Sequence, residues 1–246
     1  MLHGKLIRRA VELVPAVLPL LSAKARWFVA IKSRTDFAVK TYDYYLSSLE
    51  VIVQGTYNGK YGTNSFADAM AALVASQLED AYSTAWYDSD LGGGDDPAFP
   101  DYLQTSLDAM IETYASMDFI YQFYNDIIQA RIEETGDAEA LSRAVMWAAR
   151  WNEAYNEAIR LITLEAGGKM MWIEGDTEKK CDVCVALDGL VAYAATWEKL
   201  DVKPQAAPND HLLCGGWRCG CYFEQTDKRV TKDVVRKIKA AIRLAK

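Results

Sequence analysis

Apolar residues recur at three- and four-residue spacing through most of the first 167 positions, the signature of helices that bury one face. The pattern predicts helices over residues 4–14, 34–55, 64–88, 101–115, 117–134 and 137–166. The breaks between them carry turn chemistry: Pro15 and Pro19, the region from Gly55 to Gly62, the run Gly92-Gly93-Gly94-Asp95-Asp96-Pro97, and Gly136-Asp137. The Gly92 run is full of acids and lacks the Lys-Ser/Thr ending of a phosphate-binding loop, so it reads as a flexible surface connection. Within the last of these helices Trp147, Trp151, Tyr155, Ile159 and Ile162 fall on one side. Aromatic residues at helical spacing bury against a neighbouring helix far more often than they line a ligand box.

The pattern changes at Gly167-Gly168, after which short extended pieces appear at 169–174 and 190–193. From Thr231 onward helical periodicity returns. Val234, Val235, Ile238, Ala241, Ile242 and Ala245 fall on one face, opposite Lys232, Arg236, Lys239, Arg243 and Lys246. Such a helix docks in an apolar groove, lies on a membrane surface, meets nucleic acid, or packs on its own protein with a solvated face. The expected fold is therefore mainly α: a helical body over residues 1–167, a small α+β cysteine-rich module of zinc-knuckle type over 168–227, and a basic amphipathic helical tail over 228–246.

Composition adds that the chain folds: 51% of its 246 residues are hydrophobic and 25% charged, which excludes a mainly disordered or low-complexity protein. Charge is unevenly spread. Residues 1–34 carry +6 and residues 228–246 carry +7, so against a net charge of -7 the 193 residues between them sum to -20. Basic ends on an acidic body suit phosphate, an acidic partner or the body of a neighbouring copy, and equally suit ordinary solvated helix ends. Lys5, Arg8 and Arg9 ahead of the apolar stretch from Val11 to Leu21 imitate a secretory signal, but Glu12, Pro15 and Pro19 interrupt it, so none is expected. No run reaches the ~18 apolar residues of a membrane span, and no membrane partner is expected.

All five cysteines lie within 41 positions, as Cys181, Cys184, Cys214, Cys219 and Cys221, with His211 close by. A CxxC turn followed by a second cysteine group brings four soft ligands onto one tetrahedral ion, structural zinc being the first reading. Six candidates compete for four positions: Cys181, Cys184, Cys219 and Cys221 as the ligands, with Cys214 and His211 as alternates. Disulfides and unliganded thiols stay open as alternatives. A thiol nucleophile wants a histidine with an orienting Asn or Asp, and the chain has only His3 and His211. The acids are spread along helix faces without a motif, so an enzyme is not expected.

Over residues 145–225 the chain resembles the MuF-like phage minor head proteins, the phage head morphogenesis family. The resemblance is carried by the helical run from Ala149 to Ala158, then Lys169, Trp172, Asp176, Cys181-x-x-Cys184, Leu187-Asp188-Gly189 and Val191, and then Trp197, Pro208 and Cys214-Gly215-Gly216-Trp217-Arg218-Cys219-Gly220-Cys221. Many members close the module with His-Pro-x-Cys-Arg-Cys. Here the Cys-x-Cys pair is Cys219 and Cys221 and Gly216 stands in the histidine's place, which leaves the third and fourth ligands open between that pair, Cys214 and His211. The resemblance implies a virion protein of the head interior or portal vertex, made in the host cytoplasm, that acts in head assembly or DNA packaging and delivery. Its implied partners are the portal and/or major capsid protein and, through the basic termini, DNA, with self-association as a further possibility. A zinc-ribbon nucleic-acid-binding protein acting alone is the competing reading.

Overall fold

A computed structural model describes residues 42–89, 99–175, 180–206, 208–216 and 219–245. The helix expected over 4–14, the first positions of the one over 34–55, the signal-like stretch, the basic N-terminal segment and the Gly92 run lie outside the described residues, as do Asp176, Trp217, Arg218 and Lys246.

The body is built from α1 (Tyr42–Tyr57), α2 (Thr63–Asp88), α3 (Asp101–Tyr114), α4 (Met117–Ile132), α5 (Ala138–Ala148) and α6 (Arg150–Glu165). In α2, Phe66, Met70, Val74, Leu78, Tyr82 and Ala85 are buried, and so in its second half are Gln77, Glu79, Asp80, Ala81 and Ser83. A helix buried on all sides is central, and α1, α3, α4 and α6 pack around this one. Leu49 and Val53, Leu103 and Leu107, Ile120, Phe123 and Ile127, and Ile159 and Ile162 reach it at three- and four-residue spacing. The aromatic stripe is part of this core, with Trp147 stacked on Phe123 at 6.1 Å and Trp151 on Tyr155 at 5.4 Å.

One expected helix is two. The run over 137–166 breaks at Ala149, where buried Gln77 of α2 donates through Nε2 to the carbonyls of Trp147 (3.1 Å) and Ala148 (2.6 Å). The amide of Asn152 then bonds to Ala149 rather than to Ala148. A side chain inserted into the ladder is a sufficient cause for a helix break. At its other end α6 closes through bonds from Gly168 to Thr163 (2.8 Å) and from Gly167 to Leu164 (3.0 Å), the paired pattern of a Schellman cap.

Beyond the cap, β1 (Lys169–Ile173) is the middle strand of a three-stranded antiparallel sheet, with β2 (Val191–Tyr193) on one side and β3 (Tyr222–Gln225) on the other. Two short helices, α7 (Asp182–Leu187) and α8 (Ala194–Leu200), flank β2 in sequence. The final helix is α9 (Val234–Ile242), followed by a single 3-10 turn. A second core forms here, distinct from the first: Trp172, Trp197 and Phe223 meet with ring centroids 5.3–5.8 Å apart, surrounded by Met170, Val183, Leu187, Val202 and Leu212.

The apolar face of α9 enters this second core through Val234, Ile238 and Ala241, against α7. Thr231 joins the edge of β2, its N–H donating to the Val191 carbonyl (2.9 Å) and its Oγ1 accepting from the Val191 N–H (3.0 Å). Val235 alone of the expected apolar face stands out, 44% exposed beside Lys232, Arg236 and Lys239. The protein is thus mainly helical, with a small sheet and a cysteine cluster near its C-terminal end. Among the described residues no helix is long and apolar enough to cross a membrane.

Body and module share polar contacts. Buried Asn156 of α6 accepts the Phe223 N–H at 3.0 Å, and Gln225 donates to Thr163 Oγ1 at 2.7 Å while accepting from Ser89 at 3.0 Å. Buried Arg160 pairs with Glu157 on its own helix and with Glu198 of α8.

Candidate metal centre

Cys181 caps α7 with extended backbone (φ -83°, ψ 123°), and its carbonyl accepts the Val185 N–H at 2.9 Å. Cys184 therefore lies one turn on, and the CxxC spacing turns both thiols to one side of the helix start. Cys214 comes from the loop after α8. Asn209 organises that loop: its Nδ2 donates to the Lys203 carbonyl (3.0 Å), its Oδ1 accepts from the His211 N–H (2.9 Å), and its own N–H reaches the Gly215 carbonyl (2.9 Å). Gly215 and Gly216 then both take left-handed backbone, at φ 61° and 79°, a pair of turns that side-chain-bearing residues adopt only with strain. The chain returns through Cys219 and Cys221 directly into β3.

A second glycine requirement fixes that return. A Cβ on Gly175, just past β1, would stand 2.0 Å from the Gly220 carbonyl oxygen and 2.2 Å from its carbon. Only a residue without a Cβ can approach the Gly220 backbone so closely, so Gly175 lets the Cys219–Cys221 segment lie against the end of β1.

The sulfurs of Cys181, Cys184 and Cys214 lie within 4.8 Å of one another, and so do those of Cys184, Cys219 and Cys221. Cys184 and Cys221 are buried and the other three are half-buried. Zinc thiolate bonds of about 2.3 Å in a tetrahedron put sulfurs about 3.8 Å apart, within reach of this packing by small shifts. The donors are all soft sulfur, the set that selects zinc or copper(I) over hard cations. All four expected ligands are in the cluster. Of the two alternates the structure brings in Cys214 and leaves out His211, which joins neither group. Its backbone is taken up by the Asn209 turn, and its Nδ1 is buried with no hydrogen-bond partner.

The thiols share protons. Cys184 is pushed far up because it donates to Cys214 first, then to Cys219 and Cys221, with burial adding to the effect. Cys214 is driven down to about 2 by hydrogen bonds from Cys184 and Cys219, helped by the Gly216 backbone. Cys221 falls to about 3 for the same reason, helped by the Gly175 backbone and the Trp172 indole. Cys219 is lowered by Cys184, but Cys214, Cys221 and burial outweigh that and leave it raised. The Trp172 Nε1–H is buried with no partner at full bonding distance, yet near enough to favour an anionic Cys221 sulfur. An N–H so placed beside a sulfur suits a thiolate whose proton has been exchanged for a metal ion.

Sequence spacing found the thiols but not the residues that position them. Asn209 and Gly175 carry no motif, and a lone glycine between Glu174 and Asp176 looks like any loop residue. Cys219 and Gly220 also line a cavity of about 340 Å³ shared with Met146, Arg150 and Gln205, which opens the centre to solvent on the side of the body. No protein-family model, curated protein or solved structure matches the chain.

Proposed function

We propose that this chain is a minor head protein of a phage, associated with the portal vertex or capsid interior, in which a structural zinc ion staples the C-terminal module and the helical body supplies docking faces. The observation that carries the reading is the convergence of the residues on which the resemblance rests. Trp172, Cys184, Leu187, Trp197 and Cys221 share one core, Cys181, Cys214 and Cys219 pack at its edge, and Gly189 turns the chain from α7 into β2. The module spans fewer than 80 residues with a thin core, a size at which a metal staple is commonly needed.

The role is structural rather than catalytic. Prominent buried carboxylates are occupied by partners: Glu153 bonds to Tyr114 (2.6 Å) and Arg150, and Asp80 accepts from Tyr45. Replacing Cys181 and Cys184 together by serine in the producing phage tests the assignment. Particles should lose or misplace the protein, while the purified chain keeps nearly all its helical circular dichroism because the first core contains no thiol. Normal incorporation and infectivity would refute it. The competing reading, a nucleic-acid-binding protein acting alone, is favoured by the exposed cations of α9. It predicts tight, salt-sensitive binding of free DNA by the isolated chain and no co-purification with portal or capsid shells.

A further inference from the structure

Five thiols crowd a centre at which a tetrahedral ion takes four, and they are not equivalent. The two groups of mutually close sulfurs, Cys181 with Cys184 and Cys214, and Cys184 with Cys219 and Cys221, have a single member in common. Cys184 is the more deeply buried of the two buried thiols, 1% exposed, and comes from the first turn of α7, between the loop that brings Cys214 and the segment that brings Cys219 and Cys221. A four-sulfur site completed from either group must draw its fourth ligand from the other. Every four-sulfur site that contains either group of mutually close sulfurs therefore contains Cys184, and the one set that omits it, Cys181, Cys214, Cys219 and Cys221, contains neither group.

We infer that Cys184 is the obligatory ligand of a single ion, and that one of the half-buried thiols Cys181, Cys214 and Cys219 is held in reserve beside it. The inference rests on the proposed metal centre and deepens it. The reserve thiol is one of those three because Cys221, the other buried thiol, packs against Trp172 and Gly175 in the second core. A reserve thiol next to a four-thiolate ion takes the place of a lost ligand without unfolding the module. No single member of the outer three is then indispensable, and Cys184 is.

The test is a zinc titration of the intact wild-type chain and of Cys184→Ser, Cys181→Ser, Cys214→Ser and Cys219→Ser, with bound metal measured by atomic emission and affinity by chelator competition. Wild type should hold one zinc per chain. Each outer single variant should still hold one, with affinity within about tenfold of wild type, whereas Cys184→Ser should lose at least a hundredfold. Independently, iodoacetamide should alkylate one cysteine in the zinc-loaded wild type and five after chelation in denaturant, counted by intact mass. That count decides the matter if Cys184→Ser fails to fold. Retention of full affinity by Cys184→Ser, loss of the metal from any outer single variant, or a count other than one in the loaded chain would overturn the inference while leaving the metal centre standing. A wild type that binds no zinc would bring down both.

Discussion

Replacing Gly175 by alanine tests how the centre is held together. The added Cβ would sit 2.0 Å from the Gly220 carbonyl oxygen, and no flexible side chain stands between them to give way. The two backbones must part by about 1 Å before the contact reaches even the tight end of the normal range. Overpacking of this kind costs about 1–3 kcal/mol, and the upper end applies here because backbone rather than a rotamer must move, so about 3 kcal/mol is expected. The displacement also falls on the peptide between Cys219 and Cys221, whereas metal–ligand distances tolerate only about 0.2 Å. Zinc affinity should therefore drop at least tenfold, a further ~1.4 kcal/mol in the loaded protein. Urea unfolding followed by tryptophan fluorescence, with zinc and with chelator, separates the two effects: the midpoint falls in both, and falls further with zinc. A variant within about 0.5 kcal/mol of wild type in both conditions, with unchanged zinc affinity, would refute the account of this contact.

Asn156→Ala leaves the buried Phe223 N–H without its acceptor and should destabilise the chain by about 1–3 kcal/mol in urea unfolding, with helical circular dichroism unchanged. Burial pushes the Glu157 carboxyl up, but hydrogen bonds and charge from Arg160 outweigh it and hold the carboxyl below its usual range. A depressed carboxyl stabilises the fold above its unfolded value and loses that contribution as pH falls. Glu157→Gln should therefore cost about 1–3 kcal/mol at pH 7, and its gap to wild type should close below about pH 4 in unfolding measured across pH. If the exposed cations Lys232, Arg236, Lys239 and Arg243 meet phosphate, a fourfold rise in salt should weaken duplex DNA binding roughly 100-fold by fluorescence anisotropy, and their replacement by glutamine should flatten that dependence.

The body was legible because α1, α3, α4 and α6 each bury one stripe against α2, which writes a 3.6-residue period into the sequence. The boundary at Gly167-Gly168 was legible for a different reason, since a Schellman cap demands its own residues. The break at Ala149 left no local trace, because its cause is Gln77, 70 residues away in sequence. Strand β3 went unseen as well. Tyr222-Phe223-Glu224-Gln225 is too short to show a period, and its pairing with β1 depends on a residue contact some fifty positions distant. The cysteines announced a centre through their spacing, but choosing between Cys214 and His211 needed the path of the Asn209 loop, which places the thiol inward and spends the histidine on a turn.

The double glycine between α6 and β1 looks in one dimension like a hinge, yet it cannot swing as one. Three fastenings bridge it side by side: the Asn156 bond to the β3 backbone, the Thr163–Gln225–Ser89 chain, and the Arg160–Glu198 pair. Fastenings loaded in parallel share a force and must fail together, unlike a zipper that opens one tooth at a time. A pull on α9, which is seated in the second core, is therefore carried through the sheet into α6 and on to α2. On these contacts, strain applied at the C-terminal end would pass into the helical body instead of being absorbed at the joint.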